Sequence, residues 1–122
     1  MDDIEKKLLG IHEQRETLDA IETNAIEELV KCQDMLIDMR NSLATLTSLI
    51  AETTAINARF LEMTGEDDDK TKEMLADAEH HFNLLNEKIV GYEKLQSDLM
   101  KSLQNSAELQ AKLIGMRDSI VN

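Results

Sequence analysis

Apolar residues recur in steps of three and four along the first half of the chain. Stepping through 4, 8, 11, 15, 18, 22 and on to 60 gives two columns. One reads Ile4, Ile11, Leu18, Ala25, Cys32, Met39, Leu46, Thr53, Phe60; the other reads Leu8, Arg15, Glu22, Leu29, Leu36, Leu43, Ile50, Asn57. Thirteen of these 17 positions are apolar. A 3.5-residue repeat held this long predicts a left-handed coiled-coil seam. Met35, Leu49, Ile56 and Met63 add a third column beside the first two. A stripe of that width touches more than one neighbouring helix, so residues from about 25 to 63 are expected to belong to a multi-helix bundle.

The second half follows the same design. Ala78, Leu85, Tyr92, Leu99, Ser106, Leu113 and Ile120 form its centre; Leu75, Phe82, Ile89 and Leu103 flank one side, and Met74, Leu95, Leu109 and Met116 the other. The column with His81, Lys88 and Ser102 is only half apolar, which predicts a partly wet edge. The two halves share a pattern rather than a repeated sequence.

One clear break separates them, Thr64-Gly65-Glu66-Asp67-Asp68-Asp69-Lys70-Thr71. Gly65 suits the left-handed position that closes a helix. Asp68, Asp69 or Thr71 can cap the next one. The four acids read first as a solvated, capping turn and second as a contact for a basic partner. They do not form a calcium loop, which needs acids at alternate positions, a central Gly and a later Glu.

The predicted architecture is therefore all-α and a single domain over residues 1–122. It comprises a helix from about 3 to 63, a turn over about 64–69 and a helix from about 69 to 121, forming a long helical hairpin that packs into a multi-helix bundle with partner chains. At 1.5 Å per residue each helix would be about 75–90 Å long. Arg15 and Glu22 are consecutive polar seam positions, and Thr23-Asn24 with Glu27 resembles a capping box. A break near 22–25 would split off a third, short N-terminal helix. Gly10, Gly91 and Gly115 read as tolerated interior glycines or as points of close packing.

Composition agrees with this architecture. Of 122 residues 42% are hydrophobic but only 2% aromatic, with no Pro and four Gly. Strands favour β-branched and aromatic residues, and their turns favour Gly and Pro, so strand-rich folds are not expected. The formal net charge is −12, from 13 Lys+Arg against 25 Asp+Glu. The bases are scattered, with no cluster beyond Lys6-Lys7, so neither nucleic acid nor an anionic membrane is an expected direct partner. No apolar run approaches the roughly 20 residues of a membrane span, and the first residues lack the basic-then-apolar layout of a signal peptide. One cysteine cannot close an intramolecular disulfide. A cytoplasmic chain is expected, peripheral to a membrane only through a partner.

Chemical motifs are scarce. His80 and His81 are adjacent and point about 100° apart on a helix, so they cannot share a metal. Asp77 and His80 have the spacing of half a di-iron site, but the second such element and two facing Glu are missing. Cys32 sits in the seam among Leu29, Leu36 and Met39 with no basic group to activate it. There is no Gly-rich phosphate loop and no Ser-His-acid spacing. The expectation is no enzyme, no catalytic residue, no metal and no cofactor.

Association is where the pattern points. The expected partner-facing seam comprises Leu29, Leu36, Met39, Leu43, Leu46, Ile50 and Phe60 in the first helix and Phe82, Leu85, Tyr92, Leu99 and Leu113 in the second. Arg15, Glu22 and Asn57 are the polar seam positions expected to set register, at a cost in stability; Arg15 and Glu22, near a terminus, read equally as wet positions where the helix end leaves the bundle. The apolar remainder of two wide stripes marks an interaction site. The expected partners are other coiled-coil proteins in a hetero-oligomer, with a homodimer as the alternative.

A family resemblance bears on which assembly this is. A heptad helix carrying Leu43-Ala44-Thr45-Leu46-Thr47-Ser48-Leu49-Ile50 and Ala55-Ile56-Asn57 is followed by a short acidic linker. Then comes Met74-Leu75-Ala76-Asp77-Ala78-Glu79-His80-His81-Phe82-Asn83-Leu84-Leu85-Asn86. Over roughly residues 29–113 this layout resembles the snapin/pallidin type of small subunit, from the complex that serves biogenesis of lysosome-related organelles. The likeness lies in pattern and helix–loop–helix layout, not in a diagnostic motif, and the acidic balance departs from the more basic C-terminal ends of such proteins. The resemblance implies a cytosolic adaptor or scaffold subunit in endosomal, lysosomal or vesicle trafficking, with SNARE-related proteins among its contacts. The competing readings are a cytoskeletal or kinetochore-type subunit, a SNARE-like fusion helix, a metal-binding enzyme bundle, and a self-assembling structural protein of bacterial or phage type. A basic tail, a central Gln or Arg layer, and a paired metal motif would favour the first three, and none is present.

Overall fold

A computed structural model describes residues 2–122. It holds two helices, α1 (Asp3–Thr64) and α2 (Asp69–Val121), and no strand among the described residues. The local causes are plain. The interiors are rich in Leu, Glu, Lys, Met and Ala, which lose little side-chain freedom in a helix, and no Pro interrupts them. Asp2 starts α1: the Glu5 amide donates to Asp2 Oδ1 at 2.7 Å, satisfying one of the four donors a helix N-terminus leaves unpaired.

α1 ends at Gly65, whose φ of 71° is left-handed. Its amide donates to the Leu61 carbonyl at 2.8 Å, the single back-bond of a left-handed cap. Asp68 opens α2: its Oδ1 accepts from the Lys70 amide at 3.1 Å and its Oδ2 from the Thr71 hydroxyl at 2.7 Å. The Thr71 hydrogen bond, helped by the backbone donors and by Lys70, holds the Asp68 carboxyl below its usual pKa. Asp67 bridges Lys72 at 2.6 Å and raises the pKa of that ammonium. Two of the four turn acids thus serve local structure.

The third, N-terminal helix anticipated at residues 22–25 does not form, and α1 runs through that point unbroken. The reason lies in the side chains that looked like a cap. The Thr23 hydroxyl donates back to the Asp19 carbonyl at 2.9 Å and so caps nothing, while Glu22 is engaged with α2.

The two helices pack antiparallel, and the chain divides into two compact units: residues 1–33 with 95–122, and residues 34–94. In the first unit the buried and half-buried positions of α1 from Leu8 onward include Ile11, Arg15, Leu18, Glu22, Ala25, Leu29 and Cys32, and those of α2 include Gln96, Leu99, Leu103, Ser106, Gln110, Leu113, Arg117 and Ile120. In the second unit they include Leu36, Met39, Leu43, Leu46, Ile50, Thr53 and Asn57 of α1, with Thr71, Leu75, Ala78, Phe82, Leu85, Ile89 and Tyr92 of α2. Burial therefore steps by three and four in both units.

A Cβ built on Gly10, Gly91 or Gly115 meets no atom within 4 Å, so these are not points of close packing. Space is equally open at Gly65, where only the backbone angle resists a side chain. The two kinds of site should respond with opposite sign. Gly65→Ala is expected to lower stability by about 1 kcal/mol, through the left-handed penalty. Gly91→Ala is expected to raise it by ~0.5–1 kcal/mol, through helix propensity and a less free unfolded chain. Thermal melts of the two variants at equal protein concentration check this, and a gain for Gly65→Ala would refute the assigned cap.

Candidate interaction surface

The residues expected to form the partner-facing seam lie between α1 and α2 of the same chain. Leu36 is 1% exposed and Cys32 2%. Leu113 is buried; Leu29, Met39, Leu43, Leu46, Ile50, Phe82, Leu85, Tyr92 and Leu99 are half-buried; Phe60, near the turn, is exposed. Cys32 forms no disulfide and is buried in the seam.

The polar seam positions have three different surroundings. Arg15 Nε donates to Gln110 Oε1 at 3.1 Å, and Gln110 Nε2 donates in return to the Arg15 carbonyl at 3.3 Å and to Asp19 Oδ1 at 2.8 Å. One turn on, Ser106 Oγ donates to Glu22 Oε1 at 2.7 Å, and Ser106 is only 4% exposed. Asn57 is half-buried, and its Oδ1 is buried with no hydrogen-bond partner. The partners Gln110 and Ser106 lie in α2 at the same seven-residue spacing as the apolar positions. Gln110 shares the column of Leu75, Phe82, Ile89 and Leu103, where Gln96 and Arg117 also fall. The spacing makes both positions legible, Ser106 in the central column of the second half; what it does not give is their pairing with Glu22 and Arg15.

Outside the seam the third columns stand open. In the second unit Met35, Leu49, Ile56, Met63 and Met74 are all exposed, Met63 by 86%. In the first unit Ile21, Leu95, Leu109 and Met116 are exposed as well. Three of these residues border grooves: Leu49 in the second unit, Leu109 and Met116 in the first. One groove of the second unit is lined by Leu46, Leu49, Leu84 and Leu85 together with Asn41, Ser42, Thr45, His81 and Lys88. One of the first unit is lined by Leu18, Leu109, Leu113 and Met116 beside Gln14 and Lys112. The opposite flank of the second unit is polar: Arg40 bridges Glu93 at 3.3 Å, and the shallow groove there holds Thr47, Glu79 and Asn83 beside Ile50 and Phe82. The third column is thus not a wider seam within the hairpin. Two helices can hide only the faces they turn to each other.

The histidines are dispersed. His12 pairs with Glu16 on the α1 surface, and the His80 and His81 rings are tilted at 54° with centroids 6.1 Å apart. Among the described residues no group of three or more His, Cys, Asp or Glu is placed to hold a metal ion, and no helix is long and apolar enough to cross a membrane.

No family model, no curated protein and no solved structure matches the chain.

Proposed function

We propose that this chain is a non-enzymatic subunit of a hetero-oligomeric assembly of coiled-coil proteins, acting as an adaptor or scaffold in endosome–lysosome or vesicle trafficking. The observation that carries the reading is the exposed third column. Met35, Leu49, Ile56 and Met63 share one column of α1, broken only by Ser42, and Leu49 borders a groove; exposed large apolar side chains aligned in this way form a patch of the kind that marks a protein interface rather than a solvated surface. The paired polar layers at Arg15 and Glu22 support it, since polar seam positions select register and disfavour mismatched partners. The trafficking assignment rests on the resemblance over residues 29–113 to snapin/pallidin-type subunits.

The test is affinity purification of the tagged chain from its native cells at moderate salt, with mass spectrometry of what stays bound. The expected result is stoichiometric recovery of several other short coiled-coil proteins tied to endosomes, lysosomes or vesicles. Recovery of the chain alone, or with cytoskeletal proteins, would remove the trafficking assignment.

A further inference from the structure

The net charge of the second unit is distributed unevenly. Residues 34–94 contain 13 acids and six bases, a net charge of −7. The flank carrying the exposed column comprises that column, the next column outward on α1 (38, 45, 52, 59) and its counterpart on α2 (70, 77, 84, 91). It holds three acids, Asp38, Glu52 and Asp77, and three bases, Arg59, Lys70 and Lys88. The entire net charge therefore lies on the turn and the other faces. The same flank holds Met35, Leu49, Ile56, Met63, Met74 and Leu84, six of the ten large apolar residues exposed in this unit.

An interface for a basic partner would be acidic, and an unused surface on this chain would share its acidic excess. This flank is neither: six exposed apolar side chains stand among its three acids and three bases, which balance in sign, and the groove at Leu49 and Leu84 is also lined by Asn41, Ser42 and Thr45. Balance is what a two-fold interface between identical chains requires. Each residue meets the partner's copy of another residue and the reverse, so every acid on the patch needs a base on the same patch. Two such flanks can face each other while the acidic faces point into solvent, where repulsion between the chains is screened.

We infer that this flank of the second unit docks a second copy of the chain, pairing two hairpins into a four-helix arrangement. The inference rests on the reading of the chain as an assembly subunit and adds that its building block is a self-paired hairpin. Phe60 at the seam's exposed end adjoins this patch in sequence, between Ile56 and Met63, and the groove at Leu49 and Leu84 gives the facing side chains a place to enter.

Sedimentation of the purified full-length chain over about 1–100 μM tests the inference. The expected species is a dimer. Leu49→Glu and Ile56→Glu, each placing two like charges in the two-fold interface, are expected to weaken it by ~100-fold or more. Ile37→Glu and Val90→Glu, equally exposed but off the flank, are expected to leave it within ~3-fold. Circular dichroism keeps the comparison readable, because all four positions are exposed on the single hairpin and its helicity should be retained. A chain that stays monomeric throughout, or a dimer that survives Leu49→Glu and Ile56→Glu, or one that Ile37→Glu and Val90→Glu break as readily, would overturn the inference. The two proposals fail separately: a monomer that still recovers stoichiometric partners from cells refutes only self-pairing, and a flank-sensitive dimer that recovers no partner refutes only the hetero-assembly.

Discussion

Leu36→Ala should cost about 3 kcal/mol of folding stability, the largest loss for a single truncation in this chain. Among the described residues Leu36 is the only large side chain that is essentially fully enclosed, at 1% exposure. Its removal forfeits the transfer free energy of the missing carbons. It also leaves a void that long, regular helices cannot readily collapse around, because moving the backbone at one layer disturbs the layers above and below. The neighbouring Ile37 provides the control. It is of similar size but 55% exposed, and Ile37→Ala should change stability by less than about 0.5 kcal/mol. Denaturant unfolding at fixed protein concentration gives both values, with an unchanged m-value showing that the folded state is the same. A loss below about 1 kcal/mol at Leu36 would mean that the α1–α2 seam is not the main source of stability.

Replacing both polar layers together, Arg15→Leu, Glu22→Leu, Ser106→Ala and Gln110→Leu, should raise stability by ~2–3 kcal/mol. The native groups are well paired, with the Ser106–Glu22 bond at 2.7 Å and Gln110 shared between Arg15 and Asp19. Their hydrogen bonds nonetheless only offset the loss of water, whereas leucine in the same columns adds buried apolar area. Single changes should behave in the opposite way. Ser106→Ala alone should cost about 1 kcal/mol, because it strips Glu22 of its donor across the seam. The stabilised quadruple variant should also lose selectivity. With leucine in both layers, sliding α2 by one heptad along α1 no longer strands a carboxylate or a guanidinium, so alternative registers approach the native one in energy. Thermal melts report the stability, and hydrogen exchange along residues 11–29 reports the register. A quadruple variant less stable than the native chain would show that these layers are net stabilisers rather than devices of specificity.

Particular residues show where the sequence was readable. The steps from Leu8 to Asn57 and from Leu75 to Ile120 are the buried face, so the helices and the side each turns inward could be read from spacing alone. Gly65 and Asp68 were readable for the same local reason: a left-handed closing residue and an N-terminal acceptor act within four residues of their position. Glu22 marks the limit. Within its own helix it looks like a fault, next to a plausible cap at Thr23. Its donor, Ser106, lies 84 positions further along the chain and is brought to it only by the packing of α2.

The exposed flank shows the same division. Its third apolar column was visible in the sequence as Met35, Leu49, Ile56 and Met63, but a width of three columns does not say which two are used. The antiparallel packing of α2 decides that. It closes over two columns and leaves the third beside Leu84, His81 and Lys88, which periodicity alone could not assign to the same groove. The sequence by itself determined the helices, their ends and the direction of their apolar faces, because these follow from interactions a few residues apart. The tertiary structure alone decided which polar seam residues are satisfied and which apolar flank stays open, because both depend on side chains brought together from distant parts of the chain.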